Sequence, residues 1–516
     1  MFRVIARLVA SIAAGSALAC AYPPLDVGAI AWIAAIPLLL ALRGQTSRVG
    51  LALGWLFGWC TFLAMTAWAR TTLREFGSYT SAGAFGVHAL MATVMGSYSG
   101  LFGAAYCRAM TSRSIGAALW VTPVLWVTTE WLRGWLFLGF PWGTLGSSQY
   151  RAHGVAQLAE LLTVRGLSGL VALANAAIYV AIATPVGRHR RVALACLAVV
   201  PCVALWGSWR ERVVSGWPTI GSVRVGIVQG SLPNEHKFVP QASDTILASF
   251  VTGSHNISSA RPDLIVWPET ALPVYYQDGG TARRAVDSVA QRAGVPLLFG
   301  TLGYREGTGE AVQHVNRAYL VDAHGRSTFY DKIELAPFGE YVPLQGLLRH
   351  VRPLGDLPGD LSQGSEATVF TLPEGRFGVV ICYEGIFPSL ARVVTERGAN
   401  FIVNLADDGW YARTAAPEQI VAQLTFRAIE NRVPILRVAN TGISAIIGPT
   451  GRIEWRSEPY ERASYVKTVA WPSAAPGSRS LIGDLFLTTC VAGSLVAVIG
   501  RRRREERDLR PRSTAG

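Results

Sequence analysis

The feature that most constrains this chain is a series of long apolar segments, which a soluble protein could not leave exposed to water. Seven of them precede residue 208, and an eighth lies near the C-terminus. About 20 apolar residues suffice to cross a bilayer as a helix. The sequence therefore predicts a polytopic α-helical membrane domain of about eight spans, at residues 8–22, 29–42, 49–68, 81–106, 115–132, 166–185, 192–206 and 485–499.

The basic residues predict how these spans are oriented. The net charge is +13, yet residues 208–480 hold 26 basic and 26 acidic residues, so the whole excess flanks the apolar segments. Such a distribution indicates membrane topology and argues against a nucleic-acid-binding face. With the N-terminus inside, the cytoplasmic loops and tail carry Arg43, Arg48, Arg108, Arg113, Arg188, Arg190, Arg191 and Arg501 to Arg504. We therefore expect residues 208–480 to lie outside the cytoplasm.

Residues 208–480 read as a separate α/β domain. Short β-branched runs predict strands at 223–229, 264–267, 296–301, 377–381, 401–405 and 435–439, with helices at 242–260, 282–293 and 418–432. Hairpin signals at 322–325 and 448–451 add antiparallel strands. The predicted organisation is a membrane domain (1–207), an α/β sandwich with mixed sheets (208–480), a last span (481–500) and a basic cytoplasmic tail (501–516).

Cys382 is the leading candidate for a nucleophile. It ends the predicted strand 377–381, and a turn into a helix follows, a corner that exposes a side chain and leaves backbone N–H groups free. The other six cysteines lie in the apolar segments or, for Cys107, directly at the end of one. Cys382 therefore has no nearby disulfide partner and no metal-ligand spacing. A buried, inert thiol is the common alternative for a lone cysteine.

Two further strand ends carry unusual charged residues. Glu269 follows the predicted strand 264–267 in a Trp-Pro-Glu sequence, which suits a rigidly held general base. Lys332 is one of only three lysines among 47 basic residues. A compact ammonium beside a thiol lowers the thiol pKa and stabilises an oxyanion. Taken singly, each would more often be a solvated surface charge.

Two apolar regions leave their interpretation open. Residues 130–143 are rich in tryptophan and contain Arg133, which fits an interfacial aromatic belt with a snorkelling arginine or a lipid-entry site. The proline-bounded loop 342–354 carries several leucines. It fits either a segment of the core or an arm lying on the outer leaflet.

Glu269, Lys332 and Cys382, in this order and in these motifs, resemble the Glu-Lys-Cys triad of the nitrilase (carbon–nitrogen hydrolase) superfamily. The apolar segments, the stretch 337–343 and Cys382-Tyr383-Glu384 are similar to its membrane-bound branch, the apolipoprotein N-acyltransferases. The resemblance implies Cys382 as nucleophile, Glu269 as general base and Lys332 as oxyanion partner. It also implies that Glu340 and Glu384 are supporting acids and that Tyr383 lends its backbone N–H.

The same resemblance implies a substrate pair and a location. A membrane phospholipid would donate an acyl chain to Cys382 as a thioester, and the α-amino group of a lipoprotein's diacylglyceryl-modified N-terminal cysteine would accept it. The site would face the periplasm from a bacterial inner membrane, with no cofactor or metal. The sequence departs from the family pattern at Phe238, where tryptophan is common, and at Asp407, where asparagine is usual.

Two alternative functions differ in what the membrane segments do. A membrane-tethered amidase or nitrilase would use the same triad on a small carbon–nitrogen bond, with the spans as an anchor. Seven spans exceed what anchoring needs, which favours lipid substrates. A non-enzymatic transporter with a sensing domain is the second alternative, although intramembrane charges are few. Transport would survive replacement of Cys382, whereas either enzyme would be inactivated.

Overall fold

A computed structural model describes residues 1–137, 139–232, 234–237, 243–306, 312–342, 361–473 and 479–499. The chain forms two compact units. One comprises Met1–Arg70, Tyr79–Glu211 and the C-terminal helix, and the other comprises Thr71–Ser78 and Arg212–Gly477. Phe238, the loop from residue 343 to 354 and the tail 501–516 lie outside the described residues.

Helices occupy all eight predicted apolar segments. The α-helices of the described chain are α1 (Phe2–Ala19), α2 (Ala31–Ala34), α3 (Ile36–Leu42), α4 (Ser47–Met65), α5 (Trp68–Glu75), α6 (Ser81–Met110), α7 (Ala118–Arg133), α8 (His153–Ala156), α9 (Ala159–Ala183), α10 (Arg188–Ser215), α11 (Asn234–Lys237), α12 (Ser243–Ser258), α13 (Gly280–Ala293), α14 (Pro388–Glu396), α15 (Ala416–Asn431) and α16 (Arg479–Ile499).

Six helices in the described residues are long and apolar enough to cross a membrane: Phe2–Ala19, Ser47–Met65, Ile115–Arg133, Ala159–Ala183, Arg188–Ser215 and Leu481–Ile499. The predicted second span is a shorter apolar stretch, Gly28–Leu42, broken into α2 and α3. The fourth, α6, has 30 residues but is diluted by glycine and serine. Those small residues let α6 approach α4 closely, since a Cβ on Gly103 would lie 2.1 Å from the Gly50 carbonyl oxygen. The protein is a multi-pass membrane protein.

Arg133, one of the residues whose role the sequence left open, points into the protein. Its side chain is buried at the end of α7. The guanidinium donates to the carbonyl oxygens of Trp142 and Gly143 and lies 4.8 Å from the Phe62 ring centroid. One helical turn earlier, Glu130 accepts a hydrogen bond from the Leu145 N–H at 2.6 Å. This acid and this arginine therefore fix the loop that follows α7.

In its described residues, the second unit is a sandwich of two six-stranded mixed sheets, and the α/β sandwich with mixed sheets was predicted. The strands are β1 (Thr219–Gln229), β2 (Leu264–Val266), β3 (Leu297–Glu306), β4 (Val312–Val321), β5 (Ser327–Asp331), β6 (Val369–Thr371), β7 (Arg376–Ile381), β8 (Phe401–Ala406), β9 (Ile435–Ala439), β10 (Ala445–Ile447), β11 (Ile453–Arg456) and β12 (Ala463–Pro472). Their orders are β12-β1-β2-β3-β4-β5 and β11-β10-β9-β8-β7-β6. One apolar core contains the facing side chains of both sheets.

Alternation along the strands separates this core from a second one. Val266 and Leu298 point between the sheets, whereas Trp267 and Phe299 belong to an outer cluster with side chains of α12 and α13. Strands β1, β2 and β3 run parallel, as do β7, β8 and β9. Parallel strands end at the same edge of their sheet, so residues that follow β2 and β7 are placed at sheet edges, where catalytic groups commonly lie.

Candidate active site

Cys382 follows β7 directly and opens a short 3₁₀ helix, Cys382–Ile386. Its φ is +50°, in the left-handed region that non-glycine residues seldom occupy. The backbone is held there by Asn404, whose amide donates to the carbonyl oxygens of Val380 and Cys382 at 3.2 and 3.3 Å. Such strain persists only where the surroundings enforce it, and it is concentrated at functional sites. The thiol itself is buried.

Glu269 leaves β2 through Trp267 and Pro268, and its side chain is buried. This segment crosses β3 at Gly300, whose N–H donates to the Pro268 carbonyl at 3.1 Å. A Cβ on Gly300 would lie 2.7 Å from the Glu269 Cα. Because a side chain has no room there, glycine lets the Glu269 backbone lie directly against the sheet.

Lys332 follows β5 and forms ion pairs with two carboxylates. Its Nζ lies 3.3 Å from Glu269 Oε1 and 2.9 Å from Glu340 Oε1, and the lysine side chain is 1% exposed. The Lys332 N–H donates to the Asn316 carbonyl at 2.9 Å. Glu340 Oε2 also accepts from the Ala336 N–H at 2.8 Å, which closes the loop after β5. The structure thus brings Glu269, Lys332 and Glu340 together.

Asn316 is a member of this cluster that the sequence reasoning missed. Its side-chain nitrogen donates to Glu269 Oε1 and to Glu340 Oε1, each at 2.8 Å. It lies on β4, where it is buried. A polar amide between Val315 and the apolar run 318–321, beside Arg317, was the available signal, because buried polar groups require partners.

Glu384 holds the chain on both sides of the nucleophile. Its Oε2 accepts from the Ile381 N–H at 2.6 Å, and its Oε1 accepts from the Tyr330 hydroxyl and from the N–H groups of Ile333 and Glu334. It therefore ties the end of β7 to the loop that carries Lys332. Burial raises the pKa of Glu384 to about 7, although Lys332 and these donors oppose the shift.

Tyr383 is buried directly after Cys382, with its ring 5.2 Å from that of Phe387 in an edge-to-face contact. This contact anchors the aromatic side chain within the turn. The part that its backbone N–H plays in binding an oxyanion stays a prediction.

The pKa values of the three candidate catalytic groups depend on one another's charges. Burial, and then the charge of Glu269, raise the pKa of the Cys382 thiol well above its usual value, with Lys332 acting in the opposite direction. Burial also raises the pKa of Glu269, against the Lys332 charge. Burial would lower the pKa of Lys332, but Glu269 and Glu340 outweigh it and raise that pKa. Because its pKa is raised, the Cys382 thiol needs a base to remove its proton before it can act as a nucleophile.

A second set of charged residues, two buried ion pairs, includes Asp407, which contacts Glu269. The Asp407 N–H donates to Glu269 Oε2 at 2.9 Å, and the Asp407 carboxylate pairs with Lys237. The next residue, Asp408, pairs with Arg437, and both are buried. The sequence singled out Asp407 only as a departure from a family pattern, and it gave Lys237 no role.

Comparisons with known proteins place this chain in a family. The chain matches the models for the apolipoprotein N-acyltransferase N-terminal domain at residues 14–177 and for carbon-nitrogen hydrolase at residues 224–465. It is 33% identical over 506 residues to the apolipoprotein N-acyltransferase of Geobacter metallireducens, covering 96% of this chain and 95% of that protein. The chain belongs to the apolipoprotein N-acyltransferase family.

Other members and a solved structure are similar as well. The apolipoprotein N-acyltransferase of Agrobacterium fabrum is 31% identical over 473 residues, or 87% of each chain. An amidase from Nesterenkonia sp. is 18% identical to this chain, covers 57% of it and 98% of the amidase, and has a TM-score of 0.37. Membership of the apolipoprotein N-acyltransferase family makes this protein an acyltransferase, as the sequence predicted.

Proposed function

We propose that this protein moves an acyl chain from a membrane phospholipid to Cys382 and then to the α-amino group of a lipoprotein's diacylglyceryl-modified N-terminal cysteine. The observation that carries the proposal is the placement of Cys382, on a strained turn under the charges of Glu269 and Lys332. A buried thiol beside a buried carboxylate suits covalent acyl transfer.

In the first half-reaction, Glu269 takes the Sγ proton as sulfur attacks the ester carbonyl carbon of the phospholipid. A base is needed because the buried thiol has a raised pKa, and the raised pKa of Glu269 makes it a stronger base. The Lys332 ammonium stabilises the oxyanion of the tetrahedral intermediate. When the carbon–oxygen bond breaks, Glu269 returns the proton to the leaving alkoxide, which releases a lysophospholipid.

In the second half-reaction, the lipoprotein's neutral amine attacks the thioester carbonyl carbon. Glu269 takes one proton from the nitrogen, and Lys332 again faces the oxyanion. The carbon–sulfur bond breaks, the thiolate recovers the proton from Glu269, and the acyl chain remains as an amide. Asn316 and Glu340 keep Glu269 and Lys332 in contact through both steps.

The membrane topology supplies the location of the proposed reaction. The arginine distribution supports an extracytoplasmic, periplasmic site above a bacterial inner membrane. We propose the four-part division predicted from the sequence, with residues 208–480 as the catalytic domain. Both proposed substrates are lipid-bearing, which fits a chain with many apolar helices.

Intact mass spectrometry of the purified protein tests the thioester. After incubation with phospholipid, the wild type should gain the mass of one acyl chain, and hydroxylamine should remove it. The Cys382→Ala variant should stay folded, gain no adduct and transfer no acyl chain to a lipoprotein peptide. Transfer by Cys382→Ala, even at a few per cent of the wild-type rate, would show that the covalent route is wrong.

A further inference from the structure

Lys237 and Asp407 form a buried ion pair that the reaction scheme above does not use. Lys237 Nζ lies 2.5 Å from Asp407 Oδ2, and the two side chains are 0% and 2% exposed. Asp407 Oδ1 accepts weaker hydrogen bonds from the Gly409 N–H at 3.2 Å and the Asn440 amide at 3.3 Å. The lysine comes from α11 and the aspartate follows β8, so the pair joins distant parts of the unit.

Stability alone does not account for this pair. Moving two charges out of water costs as much as their attraction returns, and apolar residues of similar size commonly do as well. The contacts of the pair indicate what else it does. Lys237 Nζ donates to the Glu269 carbonyl oxygen at 3.4 Å, and the Asp407 N–H donates to Glu269 Oε2 at 2.9 Å. The two partners thus contact Glu269 at its backbone and at its carboxylate.

We propose that Lys237 and Asp407 are positioning residues for acyl transfer, which hold Glu269 at both ends and, as a neutral pair, keep it ionised and ready to accept a proton. The inference rests on the proposed role of Glu269 as the base. Neither residue needs to touch the substrate.

The sign of the effect follows from the charges around Glu269. In the described residues, the groups near Glu269 that carry charge, titrate or bond to it are Lys332, Glu340, Asn316, Asp407, Lys237, Cys382 and Tyr411. The Asp407 charge raises the pKa of Glu269. Removing Lys237 leaves that negative charge uncompensated, so the buried cluster takes up a proton at higher pH. Removing the Asp407 charge leaves the Lys237 cation, which has the opposite effect.

Three variants separate electrostatic positioning from packing. Lys237→Met should move the low-pH side of the pH–rate profile to higher pH, and Asp407→Asn should move it to lower pH. A shift of one pH unit changes the rate on that side of the profile about tenfold. The double variant Lys237→Met/Asp407→Asn should return close to the wild-type profile, because both charges are gone. Losses from packing alone would lower the rate in both single variants and would not move their two profiles in opposite directions.

The matched control is Lys467→Met, the same substitution at a lysine on β12 that lies over the Trp455 ring. Its profile should match the wild type. The first readout is the rate of thioester formation with phospholipid in a single turnover. The second is the rate at which iodoacetamide labels Cys382, followed by peptide mass spectrometry, which needs the thiol proton removed but no lipid substrate.

The two readouts keep this inference distinct from the proposed function. We expect the pH dependence of Cys382 labelling to shift in opposite directions in the two single variants and to return to the wild-type profile in the double variant. This result is expected even if the wild type forms no acyl adduct, in which case only the proposed function fails. If the wild type forms the acyl adduct but the two single variants show no shift, or shifts in the same direction, the inference is wrong and the proposed function stands. If Lys237→Met does not fold, the downward shift of Asp407→Asn must still appear, and its absence would be decisive.

Discussion

Replacing Gly300 by alanine tests how tightly the Glu269 backbone must be held. A Cβ at this position would lie 2.7 Å from the Glu269 Cα, 2.9 Å from the Thr270 nitrogen and 3.0 Å from the Pro268 oxygen. All three are backbone atoms, so no side-chain rotation relieves the clash. To reach an ordinary carbon–carbon separation of about 3.5 Å, Glu269 must move by about 0.8 Å.

The hydrogen bonds around Gly300 restrict the direction in which the Glu269 backbone can move. Gly300 donates to the Pro268 carbonyl and accepts from the Ala271 N–H at 2.8 Å, so the segment cannot simply lift away from β3. We expect the Glu269 carboxylate to be displaced relative to Cys382. A misplacement of about 1 Å costs up to about 10²-fold in rate, so Gly300→Ala should slow thioester formation about 10- to 100-fold.

Single-turnover thioester formation measures this loss, with thermal unfolding as a check on the fold. Gly226→Ala on β1 is the matched control, because its Cβ would meet the terminal methyl of Ile257 at 2.6 Å, which a side chain can relieve by rotating. It should lower stability without slowing the chemistry. A folded Gly300→Ala variant that forms the thioester at the wild-type rate would refute the reasoning.

Substitutions at Lys332 and Asn316 test the groups that contact Glu269. Lys332→Met should slow thioester formation about 10²–10³-fold, the usual cost of losing one oxyanion donor. Lys332→Arg should stay impaired, because a planar guanidinium does not fit a buried ammonium site, and a wild-type rate in this variant would contradict that reasoning. Asn316→Ala removes a hydrogen bond that lowers the pKa of Glu269. That pKa should therefore rise, and the low-pH side of the pH–rate profile should move to higher pH. An unmoved profile would exclude a role of Asn316 in setting the pKa of Glu269.

Much of the fold could be predicted because its signals are local. The run before Cys382 and the run before Glu269 are short, β-branched and bounded by turns, and both are strands that end within one residue of the prediction. Strand β12 and its antiparallel pairing with β1 could not be predicted, since Thr219 and Pro472 are paired across most of the unit. The break between α2 and α3 and the close packing of α4 on α6 likewise depend on neighbouring helices rather than on composition.

The sequence by itself determined that the chain has apolar helices, an α/β unit and three chemically unusual residues at the ends of strands. Only the tertiary structure decided that Asn316 joins Glu269 to Glu340, that Lys237 and Asp407 lie behind the base, and that Cys382 adopts a positive φ. Periodicity and turn chemistry act over a few residues and are visible in a single chain. Contacts between residues on distant strands and loops depend on how the two sheets pack. The role of a buried polar group is therefore visible only once its partners are known.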